Sequence, residues 1–296
     1  MATTPEAYVH LSTDKTTLTF YYDTLRADRN GTTWGIRDWD AFFSCPAWAG
    51  DFNPRSTTVL TAVFDASFRD FRPTTTEGWF YELNLLERIE GLEHLNTSQV
   101  TSMGWMFKGC GSLTSLDLTR FDTSKVTSMS GLFSGCGSLT SLDLTCFDTS
   151  AVSDMRGMFL GCKSLTALDP SSFDTSEVSD MRGMFCGCQS LTVLDLSSFD
   201  TSQVTDMRGM FYSCKSLTAL DLSSFDTSKV TKMGEMFSGC ESLTTIYCNT
   251  SWSASHSDDM FSGCNSLRGA ATNVGNSYDV SMANPETGYF TKKVLS

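Results

Sequence analysis

The chain has 296 residues, of which 40% are hydrophobic and 19% charged, and its net charge is −13. This composition supplies enough apolar surface for a buried core and excludes a disordered chain. The negative charge excludes binding to nucleic-acid phosphates, which needs an excess of Lys and Arg, and is unfavourable at an anionic membrane surface. No apolar run is long enough for a transmembrane helix.

The first 78 residues show no internal repeat and have the pattern of β-strands. Apolar and polar residues alternate in TLTFYYDTL and TTVLTAVFDASF, and turn signals occur at Asn30-Gly31 and Pro54. We therefore predict that residues 1–78 form an N-terminal β cap, which covers the apolar end of the segment that follows.

Residues 79–270 repeat with a period of 26 residues, giving about eight repeats, of which the first and the last are degenerate. One whole repeat is FDTSKVTSMSGLFSGCGSLTSLDL, residues 121–144. A fixed period of about 20–50 residues is typical of solenoids and propellers, and a four-stranded propeller blade needs a longer repeat than this one. The period therefore predicts a solenoid in which each repeat forms one rung. Residues 271–296, with GYFTKKVL, are expected to add a C-terminal cap strand.

Each rung is expected to contain one strand and one compact return segment. In SLTSLDL, Leu116 and Leu118 would face the core while Asp117 faces solvent. The segment VTSMSGLFSGC predicts a short helix or a pair of tight turns, and FDTS predicts a turn in which the Asp accepts backbone N–H groups. The predicted fold class is a leucine-rich-repeat-like parallel β-sheet with short helix or turn return segments.

The apolar residues of the repeat form columns at the 26-residue spacing, and these columns predict the core. A cysteine that recurs once per repeat behaves as a small buried hydrophobe, so we expect reduced thiols in the core and neither disulfides nor a metal site. The predicted core positions are Cys110, Cys136, Cys162, Cys188, Cys214, Cys240, Met155, Phe159, Leu165 and Leu168.

An acidic stripe on the exposed face of the predicted sheet is the first candidate binding site. Like charges on neighbouring strands repel, so the stripe favours a cationic partner or Ca²⁺, which prefers oxygen ligands. The alternative is a copied, solvated Asp whose carboxylate is satisfied by neighbouring hydroxyl groups. The predicted partner-binding residues are Asp117, Asp143, Asp169, Asp195, Asp221 and Tyr247.

A second candidate patch lies in the return segments of the three middle repeats. Alternating Asp and Arg side chains are expected to form an ion-pair network across rungs, and exposed pairs of this kind are individually weak. The patch is either structural or part of a partner surface, and comprises Asp154, Arg156, Asp180, Arg182, Asp206 and Arg208.

No catalytic constellation is recognisable in the sequence. The histidines His10, His94 and His256 do not recur with Cys, Ser or carboxylate residues, and no nucleophile elbow, HExxH motif or phosphate-binding glycine loop is present. We therefore do not expect an enzyme.

The repeat resembles that of a known family. The string FDTSxVTxMxxMFxGCxSLTxLDL is similar to the repeat of the BspA-like leucine-rich-repeat surface proteins of bacteria, over about residues 79–270. The resemblance implies a cell-surface or extracellular protein used in adhesion or host interaction, and it implies no catalytic residues.

These observations predict a non-enzymatic repeat protein that binds a protein or glycan ligand. One alternative is an intracellular scaffold or effector with the same solenoid, because the start of the chain lacks the basic and apolar segments of a signal peptide and suggests a cytoplasmic location. The other alternative is a Ca²⁺-stabilised structural module, and no other cofactor is expected.

Overall fold

The computed structural model describes residues 4–40, 45–49, 58–270 and 277–293. The predicted turn at Pro54, residues 271–276 and the last three residues of the predicted cap strand lie outside the described residues. Within the described ranges the chain forms short strands, turns and short 3₁₀ helices, and no α-helix. The 3₁₀ helices span Arg26–Asp28, Ala66–Asp70, Leu92–His94 and Val280–Met282.

A five-stranded sheet forms the N-terminal part of the chain. Its strands are β1 Glu6–Leu11, β2 Thr17–Asp23, β3 Thr32–Gly35, β6 Thr61–Phe64 and β7 Arg88–Glu90, and their order across the sheet is β3-β1-β2-β6-β7. Two further short strands, β4 Trp39–Asp40 and β5 Cys45–Pro46, pair separately with each other. Strands β1, β2 and β3 are antiparallel, whereas β2, β6 and β7 are parallel. The parallel direction of β6 and β7 joins this sheet to the repeats.

An aromatic cluster lies between the N-terminal sheet and the first repeat. The Phe20 ring stacks on Phe64 at 4.5 Å and on Trp79 at 5.4 Å between ring centroids. Phe64 also contacts Phe80 edge-on at 6.2 Å, and Phe80 is the first ring of the repeat column. The N-terminal sheet therefore covers the apolar end of that column.

Successive repeats pair in parallel, and most of this pairing runs through the return segment. Single parallel bridges join one residue of each repeat to its equivalent in the next, through Thr75, Ser102, Ser128, Asp154, Asp180, Asp206, Lys232 and His256. The first bridge precedes residue 79, so the parallel stack begins a few residues before the predicted start of the repeats.

The return segment is a series of tight turns, which was one of the two predicted conformations. Alternate backbone N–H groups bond across to the next rung, such as Gly131 to the Arg156 carbonyl at 2.7 Å and Phe133 to the Met158 carbonyl at 2.9 Å. The intervening N–H groups close turns inside the rung, such as Ser134 to the Gly131 carbonyl at 3.0 Å. Backbone donors are therefore shared between the rung itself and its neighbour.

The leucine strand is much shorter than the sequence predicts. Regular strands occur only at β8 Ala219–Asp221, β9 Thr245–Tyr247 and β10 Phe290–Thr291, which form a parallel sheet in the order β10-β9-β8. Among the other described repeats, this segment shows one bridge, from Ala167 to Val193. The Asp of the LDL motif accepts a backbone N–H two residues later and so ends the segment in a turn, also at Asp221, the last residue of β8.

The core is a set of continuous columns, because each side chain lies on its equivalent in the next rung. Phe159 and Met155 are fully buried, as are Leu165 and the six predicted cysteines, and Leu168 is 7% exposed. The phenylalanine rings stack at 5.3–5.8 Å between centroids with interplanar angles of 0–13°. The rings are Phe80, Phe107, Phe133, Phe159, Phe185, Phe211, Phe237 and Phe261.

The C-terminal segment covers the other end of the columns. The Tyr289 ring lies 5.2 Å from Phe261, the last ring of the stack, and the Phe290 ring packs edge-on against Trp252 at 4.9 Å. The pairing of β10 with β9 thus closes the apolar end in the region where the sequence predicts a cap strand.

Candidate functional site

The acidic stripe lies on the surface, and turn hydrogen bonds engage its carboxylates. Asp117 accepts the Thr119 hydroxyl at 2.6 Å and the Thr119 backbone N–H at 3.1 Å, and these hydrogen bonds lower the pKa of Asp117. The same backbone bond recurs at the other four positions, Asp143, Asp169, Asp195 and Asp221. One oxygen of each carboxylate is therefore already used within its own rung.

At one end of the stripe lies Lys293, which was not predicted from the sequence to be there. The Lys293 ammonium forms an ion pair with Asp221, and both line a shallow concavity of about 480 Å³ beside the 37% exposed ring of Tyr247. Burial alone would raise the pKa of Asp221, but hydrogen bonds from Lys293 and Ser223 outweigh it and lower the pKa. The structure brings Asp221 and Tyr247 together at this end.

The second predicted patch is an interdigitated ladder of ion pairs. The Arg156 guanidinium lies 2.7 Å from Asp154 in its own rung and 3.7 Å from Asp180 in the next. Arg182 repeats the arrangement, at 2.8 Å from Asp180 and 3.6 Å from Asp206. The last rungs add Arg208 and Lys232, which lie 2.8 Å and 3.7 Å from Asp206. Arg156 and Arg182 therefore each lie between two carboxylates that the parallel bridges would otherwise leave facing each other, whereas Arg208 pairs with Asp206 alone among the described carboxylates.

A groove runs beside this ladder, and we call it the glycine trough. Its floor is a column of glycines with no side chains, its first wall is the arginine column, and its second wall is a column of exposed or half-buried side chains. Two adjoining concavities of about 880 and 490 Å³ meet at Arg182 and Gly183 to form it. The trough comprises Gly131, Gly157, Gly183 and Gly209, then Arg156, Arg182 and Arg208, and then Leu160, Cys186 and Tyr212.

The floor needs glycine because its backbone is left-handed. The four glycines have φ of 56–59°, a conformation that costs other residues about 1–2 kcal/mol. In the flanking rungs the same position holds Trp105 and Glu235, each with φ of 57°. The glycine floor therefore ends where a side chain first occupies it, and at a spacing of ~4.8 Å per rung Trp105 and Glu235 lie roughly 24 Å apart. The larger concavity continues past Glu235 to His256, Asp258 and Asp259.

Trp105 forms the first end of the trough. Its side chain is 39% exposed, and its ring lies so close to Gly131 that a Cβ added there would be 2.5 Å from the ring. Tyr212 and Leu160, on the second wall, are 39% and 41% exposed. The trough thus presents aromatic and aliphatic surface opposite a row of guanidinium groups.

The Asp–Arg ladder was predicted from the sequence, but the groove beside it was not. The signal was present, since a glycine follows each arginine directly in the three copies of DMRGMF and a fourth glycine, Gly131, keeps the same spacing. Only the left-handed backbone shows that this column is a floor and not a turn inside a helix.

Other chemistry is not assembled among the described residues. The ring of His256 lies 3.1 Å from the Ser255 hydroxyl, and the His10 ring bonds the Asn30 carbonyl at 2.6 Å, so neither histidine lies in an acid–base cluster. In residues 4–40, 45–49, 58–270 and 277–293, His, Cys, Asp and Glu side chains form no group of three that could hold a metal ion. No helix in those ranges has the length and apolar character needed to cross a membrane.

Comparison with known proteins gives one family and one solved structure. A comparison with curated proteins gives no match. The chain is similar to a structure described as a leucine rich cell surface protein from Faecalibacterium prausnitzii A2-165, over 89% of this chain and 92% of that one, at 16% identity. The TM-score is 0.24, so this likeness carries no argument about function. A family profile described as "Mycoplasma protein of unknown function, DUF285" matches residues 74–171 and 166–276, more than half of the chain. The chain therefore belongs to the DUF285 family.

Proposed function

We propose that this protein is a non-enzymatic, surface-associated binding protein whose repeats form a leucine-rich-repeat-type solenoid that holds an extended protein or glycan ligand. The observation that carries the proposal is the glycine trough, which offers the same floor and similar walls over successive rungs. A ligand that runs along the stack meets repeated chemistry there, which suits a polymer more than a compact small molecule.

The composition of the trough supports binding. Aromatic residues and arginine dominate the energetics of most recognition surfaces, and the trough combines Trp105 and Tyr212 with three arginines. A concave surface also buries more of a ligand than a flat one. The proposed adhesive or host-interaction role depends on this surface being free to meet a partner.

The acidic stripe is the second candidate surface. The concavity formed by Asp221, Tyr247 and Lys293 favours it, because a carboxylate, a phenol and an ammonium group converge there. A cationic partner would bind along the remaining carboxylates, from Asp117 to Asp195.

The proposed surface location follows from the resemblance to BspA-like proteins. Antibody labelling of intact cells of the source organism tests it, with permeabilised cells as the control. Labelling only after permeabilisation would favour the intracellular scaffold instead.

Two double variants distinguish the surfaces. Gly157→Asn with Gly183→Asn fills the trough floor, since an added Cβ at each site meets its nearest atoms at 3.5–3.6 Å, ordinary contact distances, and Asn tolerates left-handed backbone. Asp169→Asn with Asp195→Asn removes two charges of the stripe but keeps an oxygen that accepts the turn hydrogen bond.

Binding is measured against a panel of extracellular-matrix proteins and polysaccharides. We expect the trough variant to lose at least about tenfold in affinity, which corresponds to ~1.4 kcal/mol, for any ligand that the unmodified protein binds. The stripe variant should bind as the unmodified protein does. Loss of binding in the stripe variant alone would identify the acidic stripe as the binding surface.

A further inference from the structure

Charges of both signs lie in and beside the trough. Lys108, Lys232, Glu235, Asp258 and Asp259 line its two concavities together with the three arginines, and the ladder carboxylates lie behind those arginines. Three carboxylates alternate with three guanidinium groups, and each guanidinium contacts two carboxylates at 2.7–3.7 Å in the first two rungs. A ligand with a strong charge of either sign therefore gains one set of contacts and is repelled by the other. The net charge of −13 adds a long-range repulsion for polyanions.

The exposed members of the ladder disfavour cationic ligands. The side chains of Arg156, Arg182 and Arg208 are 35–44% exposed, whereas those of the three Asp partners are 8–23% exposed. A cation that enters the trough meets the guanidinium groups first. An uncharged ligand avoids both penalties.

The ladder offers hydrogen-bond donors and acceptors side by side. The Nε and Nη2 groups of Arg156 bond Asp154, which leaves Nη1 with no partner among the described residues. The carboxylate of the next rung, Asp180, lies within 3.7 Å of the same guanidinium. A hydroxyl group both donates and accepts, so a ligand with a row of hydroxyl groups can use both kinds of partner.

The opposite wall and the end of the trough suit apolar faces. Leu160, Tyr212 and Trp105 are each about 40% exposed along the groove, and aromatic rings pack well on flat apolar surfaces. A sugar ring presents C–H groups on its faces and hydroxyl groups at its edge. It can therefore contact the apolar wall and the ladder together, and the glycine floor lets it approach the backbone.

The rung spacing adds a length match. Parallel neighbours lie ~4.8 Å apart, which is close to the length of one pyranose unit in an extended polysaccharide. Four glycine rungs lie between Trp105 and Glu235, and the Trp105 ring covers the first of them, Gly131. The trough therefore accommodates about four sugar units in register with the rungs, three over open glycines and one against Trp105.

From these contacts, and depending on the binding function proposed above, we infer that the glycine trough binds an uncharged polysaccharide chain. The sugar rings lie against Trp105 and over Gly157, Gly183 and Gly209, with hydroxyl groups on the Asp–Arg ladder and C–H faces on Tyr212 and Trp105. The chain direction of the ligand follows the stack of rungs.

The test is a calorimetric titration of the whole protein with neutral oligosaccharides of two to eight units. The panel covers β-linked glucans, mannans, galactans and N-acetylglucosamine polymers, with polygalacturonate and polylysine as charged probes. Affinity for at least one neutral series should rise with length and level off at about four units, with weak or no binding of the charged probes.

Two single variants test the location without disturbing the backbone. Trp105→Gly keeps a residue suited to φ of 57°, and Tyr212→Ser places the residue found at the same position of two other rungs, Ser134 and Ser238. Each should weaken binding by about two- to tenfold through loss of ring contact. Tyr278→Ser, which removes a ring of similar exposure from the C-terminal segment outside the concavities described above, should have no effect.

The outcomes separate this inference from the proposed function. Absence of binding to every neutral series, or binding that Trp105→Gly and Tyr212→Ser do not weaken, overturns the inference. If a protein or a charged polymer binds and the Gly157→Asn/Gly183→Asn variant loses it, the trough is a binding site with a different ligand class. In that case the proposed function stands and the polysaccharide inference fails.

Discussion

The Cys162 thiol donates a hydrogen bond to the backbone carbonyl of Phe133, with a distance of 3.2 Å between Sγ and the oxygen. The same carbonyl accepts the backbone N–H of Cys136 at 3.1 Å, so two rungs meet at one oxygen. Six further thiols bond a Phe carbonyl of the preceding rung in the same way, those of Cys110, Cys136, Cys188, Cys214, Cys240 and Cys264. The column thus stabilises the stack by packing and by hydrogen bonding.

Replacing a core thiol should show whether the donor or the sulfur volume matters. Cys162→Ala removes both, and we expect a loss of about 1–3 kcal/mol in the free energy of unfolding. Cys162→Ser keeps a donor and should cost less than Ala. Urea denaturation followed by circular dichroism measures both. A larger loss for Ser than for Ala would show that the carbonyl bond contributes little.

Cys146 provides a matched control. It is exposed, and the equivalent position in two other repeats holds Ser172 and Ser224, whose hydroxyl groups bond the same type of leucine carbonyl. Cys146→Ser should change the free energy of unfolding by less than about 0.5 kcal/mol.

The buried thiols should make the protein less stable at alkaline pH. Burial raises the pKa of Cys136, Cys162 and Cys188 well above the ordinary value of 9.0, and that of Cys264 to about 12. The unfolded chain ionises its thiols near pH 9 while the folded chain cannot, so stability is complete below that pH and falls as the pH rises above it.

Melting temperatures at pH 8 and pH 10.5 measure this effect. A triple variant, Cys136→Ser with Cys162→Ser and Cys188→Ser, is the comparison, because Tyr8 contributes a loss of the same sign. Burial raises the pKa of Tyr8 to about 12 in the folded protein, whereas the unfolded chain ionises it near pH 10. The unmodified protein should lose more between the two pH values than the variant does. An equal loss in both proteins would assign the alkaline transition to groups other than the thiols.

The phenylalanine column should be most sensitive in its middle. Phe159 is fully buried and stacks on Phe133 at 5.8 Å and on Phe185 at 5.7 Å. Phe159→Ala leaves a cavity between two rings and should cost about 3–5 kcal/mol of unfolding free energy, whereas Phe159→Leu should cost less. Chemical denaturation measures both variants. A loss below about 1 kcal/mol for Ala would mean that neighbouring rungs close the gap.

The left-handed backbone at Glu235 should be strained, and substitution by glycine should relieve that strain. The side chain is exposed and φ is 57°, so Glu235→Gly should stabilise the protein by about 0.5–1 kcal/mol after the entropy cost of glycine is subtracted. Lys163→Gly, at an exposed residue outside the positive-φ set, should destabilise by a similar amount. If Glu235→Gly lowers the free energy of unfolding, as the Lys163→Gly control should, the backbone at Glu235 is not strained.

Repetition explains why the columns could be predicted from the sequence. A side chain such as Phe159 has the same residue one rung above and one rung below, so its spacing alone indicates a buried neighbour of its own kind. The same argument places Arg156 between Asp154 and Asp180. Residue type and spacing were sufficient for both.

The location of the cross-rung pairing could not be predicted in the same way. The leucine strand has the better strand pattern, but the rungs pair mainly through the return segment. There the left-handed Gly131 and Gly135 hold the chain in tight turns, one of the two predicted conformations, and these turns bond the next rung. The pairing of Lys293 with Asp221 joins residues 72 positions apart and leaves no local signal.

Parallel bridges that join only adjacent rungs make the length of this protein adjustable. Excision of residues 157–182 removes one 26-residue repeat and joins Arg156 directly to Gly183. Each core side chain would then stack on the equivalent residue of the next remaining rung. The trough would shorten by ~4.8 Å with its chemistry unchanged. Gain or loss of whole repeats is therefore a simple route by which such a chain can change the length of the surface that it presents.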